Sequence, residues 1–156
     1  MQGKFAAIAA LLLVATNSWA NADLKAQDQR LVEEFTPRVM EQVLNELDIE
    51  FSDEEGSYTW EEQGFSISLS TVEDMDGEMS ELFMSASIEK ALENESDAHD
   101  WNVSSRFGRV YAMDETVYVE HDLIARGGVT IAAIKKSVSR FQKTVGEANA
   151  FLWGGE

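Results

Sequence analysis

The sequence predicts an α+β protein, in which an antiparallel sheet of about five strands is flanked by an N-terminal helix and a long C-terminal helix. Apolar residues recur every three to four positions in one segment near each end of the domain, whereas the segments between them alternate apolar and polar residues. The connections between the alternating segments are too short for the crossovers that parallel strands require. The predicted order is helix, three strands, short helix, two strands and helix.

The first 22 residues have the parts of a secretory signal peptide. Lys4 gives a charged tip, residues 5–15 form an apolar run, and Ala20 and Ala22 form a small-x-small cleavage site. A membrane-spanning helix would need about 20 apolar residues, so a cleaved signal is favoured over an uncleaved anchor. We therefore expect a protein that is periplasmic or secreted after cleavage near Ala22.

Cleavage would leave 134 residues (156 − 22 = 134), which suits one domain. Residues 23–35 are polar and loosely patterned, and we interpret them as a lead-in to a single domain over residues 36–156. The chain has 29 acidic and 12 basic residues, for a formal net charge of −17. This charge repels phosphate backbones and anionic lipids, so neither nucleic acid nor a membrane surface is expected as a partner.

The first predicted helix begins at Pro37, which suits the first helical position because it has no amide hydrogen to satisfy. Thr36 can accept a hydrogen bond from the amides of the first turn. Five apolar residues then follow at helical spacing and predict one buried face. They are Val39, Met40, Val43, Leu44 and Leu47.

After an acidic turn the pattern changes to alternation, which predicts three antiparallel strands. Their sequences are SYTWEE, GFSISLS and SELFMSASI. In the second strand Phe65, Ile67 and Leu69 mark the buried side, and Gly77 supplies the turn to the third strand. The segment EKALENESDAHDW has few apolar residues and predicts a short, partly exposed helix or turn.

Two more predicted strands, RFGRVYAM and TVYVEHDLI, are joined by a tight turn at residues 114–115. Thr130 then can cap the last helix, whose apolar residues follow spacings of three and four without interruption. They are Ile131, Ile134, Val138, Phe141, Val145, Ala148 and Leu152.

The second half of the chain contains a combination of short motifs that is found together in one family. The matching pieces are Trp101-Asn102, residues 106–111, Glu120 with residues 122–123, and residues 127–129, followed by the amphipathic helix. In this combination the chain resembles the YbjN family of bacterial proteins, whose fold is similar to that of type III secretion chaperones. The resemblance implies a chaperone-like fold and the label of a sensory transduction regulator. It supplies no catalytic residues.

Arg106 and Arg109 are scarce cations placed close together in one predicted strand. Strict alternation would put a mixed set of side chains on one face of that strand. The set is Phe107, Arg109, Tyr111 and Met113. The arginines can neutralise Glu120 and Asp122 on the neighbouring strand, while residues 101–102 anchor the chain that enters the sheet. An anion-binding or peptide-binding role for the arginines is the alternative.

The sequence offers little for catalysis or metal binding, and we expect a non-enzyme without a cofactor or metal. It has no cysteine and no Gly-x-Ser-x-Gly elbow. The loop around Gly77 is not an EF-hand, because Phe83 stands at the twelfth position, where an acid is required. The alternative is a small secreted hydrolase or metal-dependent enzyme that uses surface carboxylates with His99 or His121.

The favoured function is therefore a non-catalytic, exported module that binds a polypeptide, either chaperone-like or regulatory. Apolar residues on both faces of the last hairpin, together with a basic stretch of the last helix, predict a protein or peptide partner or a homodimer. Equally, the basic stretch can pair with the acidic first helix of its own chain. The candidate partner-binding residues are Arg106, Phe107, Arg109, Tyr111, Met113, Tyr118, Lys135, Lys136, Arg140 and Lys143.

We predict that the mature protein begins at Asp23, because a signal peptidase would cleave after the small residue Ala22. Intact-mass measurement of protein recovered from the periplasm or the medium should give the mass of residues 23–156. A membrane-bound species that keeps residues 1–22 would contradict this prediction.

Overall fold

A computed structural model of the chain describes residues 28–73, 76–94 and 96–154. The predicted signal peptide and its cleavage site lie outside these residues. Within them the helices are α1 (Pro37–Glu46), α2 (Ser96–Ser104) and α3 (Ile131–Trp153). The predicted α+β class is confirmed, and the main antiparallel sheet has six strands, one more than expected.

The strands of the main sheet include every strand that the alternation predicted. They are β2 (Ser52–Glu54), β3 (Ser57–Glu62), β4 (Phe65–Val72), β5 (Glu81–Glu89), β6 (Arg109–Met113) and β7 (Thr116–Ile124). Their spatial order is β2-β3-β4-β5-β7-β6. A second sheet pairs β1 (Leu31–Val32) with β8 (Val129–Thr130). We did not predict β1, β2 or β8, because strands of two or three residues are too short to show alternation.

The core lies on one face of the main sheet, beneath α1 and α3. All seven apolar residues predicted for the last helix are buried, as are Val39, Met40, Val43 and Leu44 of α1. Leu47 follows the end of α1 and is partly buried. The sheet meets these helices with buried side chains from each of its long strands. They include Tyr58, Trp60, Phe65, Ile67, Leu69, Leu82, Met84, Val110, Val117 and Val119.

The helix starts agree with the sequence except for one hydrogen bond. The Thr130 side chain accepts the Ala133 amide at 3.1 Å and caps α3, as predicted. Thr36 occupies the same position before α1, but its side chain makes no capping hydrogen bond, so that part of the prediction is wrong. Its backbone carbonyl accepts the first amides instead, and Pro37 removes one of the donors that would need a cap.

The start of β6 corrects the predicted strand pattern. The strand begins at Arg109, because Gly108 has a φ of +73°, which interrupts the extended backbone. Phe107 therefore does not share a face with Arg109 and Tyr111 as predicted. Its ring contacts His121 on the side of the sheet that the helices cover.

The opposite face of the sheet is left uncovered by the described helices and is lined mainly by hydroxyl groups. These belong to Ser57, Thr59, Ser66, Ser68, Ser70, Ser85 and Ser87. The hairpin has apolar residues on both sides, as predicted, but its Val117 and Val119 are buried beneath the helices. Apart from Val72 and Phe83, the larger apolar and aromatic side chains of the open face lie on β6 and β7. They are Tyr111, Met113, Tyr118 and Ile124.

Strand β6 forms one edge of the sheet, and α2 covers part of that edge. Asn102 Nδ2 donates to the Val110 carbonyl at 2.7 Å, and the Val110 amide donates to Asn102 Oδ1 at 2.8 Å. Trp101 Nε1 donates to the Gly108 carbonyl at 3.3 Å. These bonds confirm that residues 101–102 anchor the chain entering the sheet. The Asn102 amide makes the two hydrogen bonds that a neighbouring strand would make, which blocks edge pairing at Val110.

We predict that Asn102→Ala lowers the free energy of unfolding by about 1–3 kcal/mol, because it leaves two partly buried backbone groups of Val110 without partners. Urea denaturation followed by circular dichroism measures this change. Asp100→Ala on the exposed side of the same helix is the matched control and should change the unfolding free energy by less than about 0.5 kcal/mol. Equal values for the two variants would contradict the prediction.

Candidate binding surface

Half of the basic residues in the described part of the chain lie on two structural units that contact each other. Of the 12 basic residues, Lys4 and Lys25 lie outside that part, which leaves ten (12 − 2 = 10). Five of these ten lie on two structural units that touch each other, the residues leading into β6 and the outer side of α3. We call this set the basic surface. It consists of Arg106, Arg109, Lys136, Arg140 and Lys143.

The first unit borders a cleft of about 530 Å³ at the start of β6. The last pair between β6 and β7 is Arg109 with Glu120, so β7 continues beyond its neighbour. The residues before β6 occupy the space beside this extension. The cleft between them is lined by Asn102, Ser105, Arg106, Gly108, Arg109, Glu120, His121 and Asp122. It therefore presents two arginines beside two carboxylates and an imidazole.

Phe107 joins the cleft to α3 through a stack of three side chains. The Arg140 guanidinium carbon lies 3.6 Å from the centroid of the Phe107 ring, and that ring lies 5.3 Å from the ring of His121. An arginine over an aromatic ring is a favourable cation–π contact. Burial lowers the pKa of His121, and nearby Arg140 lowers it further, whereas Asp122 acts in the opposite direction. Burial in this stack therefore favours the neutral form of the His121 imidazole.

Gly108 allows the residues before β6 to approach α3 closely. A Cβ atom at this position would lie 2.7 Å from Cγ2 of Thr144 and 3.3 Å from Cγ1 of Val119. Thr144 is buried, and its hydroxyl donates to the Arg140 carbonyl at 2.9 Å within α3. The missing side chain at Gly108 thus brings the two units of the basic surface into contact.

Glu120 is the hub of a polar cluster on the open face of the sheet. Its carboxylate accepts a hydrogen bond from the Tyr111 hydroxyl at 2.6 Å and pairs with Arg109 at 3.4 Å. The hydrogen bond to Glu120, followed by burial, raises the pKa of Tyr111 to about 12. The Tyr111 ring stacks on Tyr118 with centroids 5.1 Å apart. Since the Arg109 side chain is 68% exposed, its ion pair contributes only about 0–1 kcal/mol.

Predicted neutralisation of both arginines by cross-strand acids is confirmed only for Arg109. Arg106 lines the cleft with Asp122 but makes no ion pair with any described residue. The same holds for Lys136, while Lys143 pairs with Glu147 on its own helix at 3.1 Å. The basic surface therefore keeps most of its charge available to an external group.

Lys135 stands apart from the basic surface, although it is next to Lys136 in the sequence. Its ammonium group contacts Asp28 and lies 2.9 Å from Glu46 at the end of α1. Hydrogen bonds to Asp28 and Glu46 raise the pKa of Lys135, and hydrogen bonds from Gln42 and then Lys135 lower that of Glu46. Pairing with the first helix, the alternative considered for the basic stretch, is thus observed for Lys135.

The structure divides the ten candidate residues into three groups. The residues at the basic surface are Arg106, Phe107, Arg109, Lys136, Arg140 and Lys143. Tyr111, Met113 and Tyr118 lie on the open face of the sheet, which Arg109 shares, and Lys135 lies against α1. The sequence reasoning missed the contact of Gly108 with Thr144, which places the first group. Thr144, a small polar residue on the otherwise apolar side of the last helix, was the feature of the sequence that could have indicated this close approach.

The two histidines lie in different places. His121 lines the cleft, whereas His99 lies on the exposed side of α2 beside a separate groove. Within residues 28–73, 76–94 and 96–154, no group of three or more His, Cys, Asp or Glu side chains is arranged to hold a metal ion. In the same ranges no helix combines the length and apolar composition needed to cross a membrane.

Comparison with known proteins gives a match to one family model and similarity to solved structures. The model of the YbjN family, described as "Putative bacterial sensory transduction regulator", matches residues 36–150. The crystal structure of YbjN from E. coli, described as "a putative transcription regulator", is similar with a TM-score of 0.62 and 14% sequence identity. The similarity covers 76% of this chain and 91% of that chain. A search of curated protein sequences gave no match.

We predict that Gly108→Ala destabilises the protein more than Gly127→Ala does. Both glycines have positive φ, so both variants incur backbone strain of about 1 kcal/mol. A Cβ at Gly108 also meets Thr144, which adds about 1–3 kcal/mol, whereas a Cβ at Gly127 has no atom within 4 Å. Chemical denaturation of both variants measures the difference, and equal losses would show that the contact with α3 is unimportant.

Proposed function

This chain belongs to the YbjN family, and on that premise we propose that it is an exported, non-catalytic regulatory module that binds a polypeptide. The proposed partner presents an acidic segment to the basic surface. One observation carries the proposal: five of the ten described basic residues lie on two structural units that contact each other, in a chain whose formal net charge is −17.

Charge distribution supports an acidic polypeptide over nucleic acid as the partner. Without the five cations of the basic surface, the rest of the chain carries −22 (−17 − 5 = −22). A long phosphate backbone would extend from the basic surface into this negative field, which repels it. A short acidic segment can place its carboxylates on the basic surface without that penalty. Complementary charge of this kind directs encounter and selects partners more than it adds affinity.

The side chains of the basic surface suit carboxylate recognition. Arginine can hold a carboxylate through two parallel hydrogen bonds, and Arg106 and Arg140 have no carboxylate partner among the described residues. Arg140 is also held in place by its contact with Phe107, so less side-chain freedom is lost when it binds. Aromatic residues and arginine are enriched in protein interfaces, which fits this composition.

Export is part of the proposal and rests on the signal peptide that the sequence predicts. The protein would act in the periplasm or outside the cell, as a chaperone-like or regulatory binder without a catalytic step. This placement makes other exported polypeptides its candidate partners.

The hydrolase alternative depends on His121, because burial lowers its pKa and it lines a cleft with Asp122. Two contacts support binding instead. The imidazole packs against Phe107, and the Ser105 hydroxyl donates to the Phe107 carbonyl at 2.8 Å. Both groups therefore hold the conformation of the residues before β6. His121→Ala tests the alternative, since a hydrolase would lose its activity while a binder would keep most of its affinity.

We predict that Lys136→Glu combined with Arg140→Glu weakens the binding of an acidic polypeptide about tenfold or more at low ionic strength. Poly-L-glutamate is the probe, and calorimetric titration measures its affinity. The matched control is Arg30→Glu combined with Arg38→Glu, which changes the net charge equally at residues that line a separate groove beside β1 and α1. This control should weaken binding by no more than about threefold, through the general field.

Two results would contradict the proposal. Equal weakening by both double variants would mean that net charge rather than the basic surface governs binding. Failure of the wild-type protein to bind poly-L-glutamate at low ionic strength would remove the acidic partner. Circular dichroism of each variant shows whether the fold is kept.

A further inference from the structure

Strand β7 extends beyond its neighbour β6 and leaves part of its own edge unpaired. The last pair between the two strands is Arg109 with Glu120, whereas β7 continues to Ile124. At Gly108, which has a positive φ, the chain before β6 turns out of the sheet toward α3. The cleft at the start of β6 therefore lies where further residues of β6 would otherwise pair with β7.

The backbone of Asp122 faces this cleft. On the other side of β7, the Ala125 amide donates to the Ser80 carbonyl at 2.7 Å and continues the pairing with β5. Backbone groups alternate between the two edges of a strand, so Asp122 and Ile124 direct their N–H and carbonyl groups away from β5. None of these groups has a hydrogen-bond partner among the residues that the structure describes. They are two free pairing positions for an added strand.

This edge of β7 is accessible from one direction only. Because Arg109 already pairs with Glu120, a strand added along β7 must end beside Asp122. In the other direction Ile124 is 57% exposed, so the approach along β7 is open. The site can therefore accept the end of a polypeptide, but no straight strand can pass through it.

The charge at the closed end determines which end of a polypeptide fits. Arg106 and Arg109 line the cleft there, and Arg106 makes no ion pair with any described residue. A guanidinium group binds a carboxylate through two parallel hydrogen bonds and repels an ammonium group. A C-terminal carboxylate is therefore favoured over an N-terminal ammonium group. The added strand then runs antiparallel to β7, with its last residue beside Asp122.

Two carboxylates also line the cleft, but they do not reverse this preference. Glu120 already accepts the Tyr111 hydroxyl at 2.6 Å and pairs with Arg109 at 3.4 Å. Asp122 lies two residues after Glu120, so its side chain projects from the same open face of the sheet. It therefore lies beside the last side chain of the added strand and disfavours an acidic residue at that position.

We propose that the cleft at the start of β6 binds the C-terminal end of an extended polypeptide. The last residues of that polypeptide pair with the free edge of β7 at Asp122 and Ile124, and its terminal carboxylate binds Arg106. Main-chain hydrogen bonds of this kind supply affinity, while the carboxylate supplies selectivity for a chain end. This inference rests on the proposed function, since the partner is a polypeptide, and it adds which part of the partner is recognised.

A pair of peptides tests the selectivity for a chain end. The probe is acetyl-Thr-Val-Thr-Val-Ser with a free C-terminal carboxylate, and its C-terminal amide is the comparison. We expect the free acid to bind at least about fivefold more tightly than the amide. The net charge of −17 would by itself favour the uncharged amide, so general electrostatics predicts the opposite order. NMR titration measures both affinities and should shift the amide signals of Asp122 and Ile124.

Substitution of Arg106 tests the carboxylate contact. Arg106→Gln should reduce the preference for the free acid to less than about twofold, because it removes the unpaired guanidinium. Arg38→Gln removes the same charge beside a separate groove and is the matched control. This control should keep the preference, and equal loss in both variants would contradict a contact at Arg106.

Backbone methylation of the probe tests the pairing with β7. In the antiparallel arrangement the N–H of the last residue donates to the Asp122 carbonyl, whereas the N–H of the preceding residue points away from β7. N-methylation of the last serine should weaken binding at least about fivefold. N-methylation of the preceding valine should weaken it less than about twofold. Equal losses would contradict strand pairing.

The inference and the proposed function can fail separately. Equal binding of the acid and the amide, or no binding of either, would overturn the C-terminal site. If poly-L-glutamate still bound in a manner that depends on Lys136 and Arg140, the proposed function would stand. A preference for the free acid in a protein that does not bind poly-L-glutamate would support the cleft and remove only the acidic segment.

Discussion

The packing of α3 against one face of the sheet is the interaction on which the other features of this protein depend. The chain has no cysteine, so burial of apolar surface must hold the fold together. Residues from the first turn of α3 to Trp153 contribute to one core with α1 and the long strands. Since both helices occupy the same face, the opposite face stays open. The outer side of α3, which takes no part in the core, is left to carry cations.

The basic surface forms because the residues before β6 lie close to α3. Gly108 lets the residues before β6 lie on Thr144, and that contact brings Phe107 under Arg140. Without it, the arginines near β6 and the cations of α3 would belong to separate parts of the surface. Gly108 therefore brings the arginines near β6 into contact with the cations of α3, and neither group forms the basic surface by itself. The same arrangement keeps the imidazole of His121 partly buried.

The sequence predicted those parts of the structure that depend on repetition. Alternation in β4 and the spacing of apolar residues in α3 each report burial several times over, so a single misleading residue does not matter. Predictions that depended on one backbone angle were less secure. Alternation was extended through Gly108 to Phe107, and the positive φ of Gly108 reversed the face of that ring. Contacts between distant segments, such as Lys135 with Glu46, could not be predicted, because the pattern of apolar residues in a helix does not show which other element the helix packs against.

The carboxamide of Asn102 also links the motions of two elements. An edge strand normally exchanges its outward amide hydrogens with water more easily than a central strand does. The Val110 amide is instead held by a side chain of α2, so it can exchange only when α2 moves away. The amide of Ala112, two residues further along β6, has no such hydrogen bond to any described residue. Hydrogen exchange along β6 would therefore alternate sharply, and the Val110 amide would report the local opening of a helix rather than the fraying of a sheet.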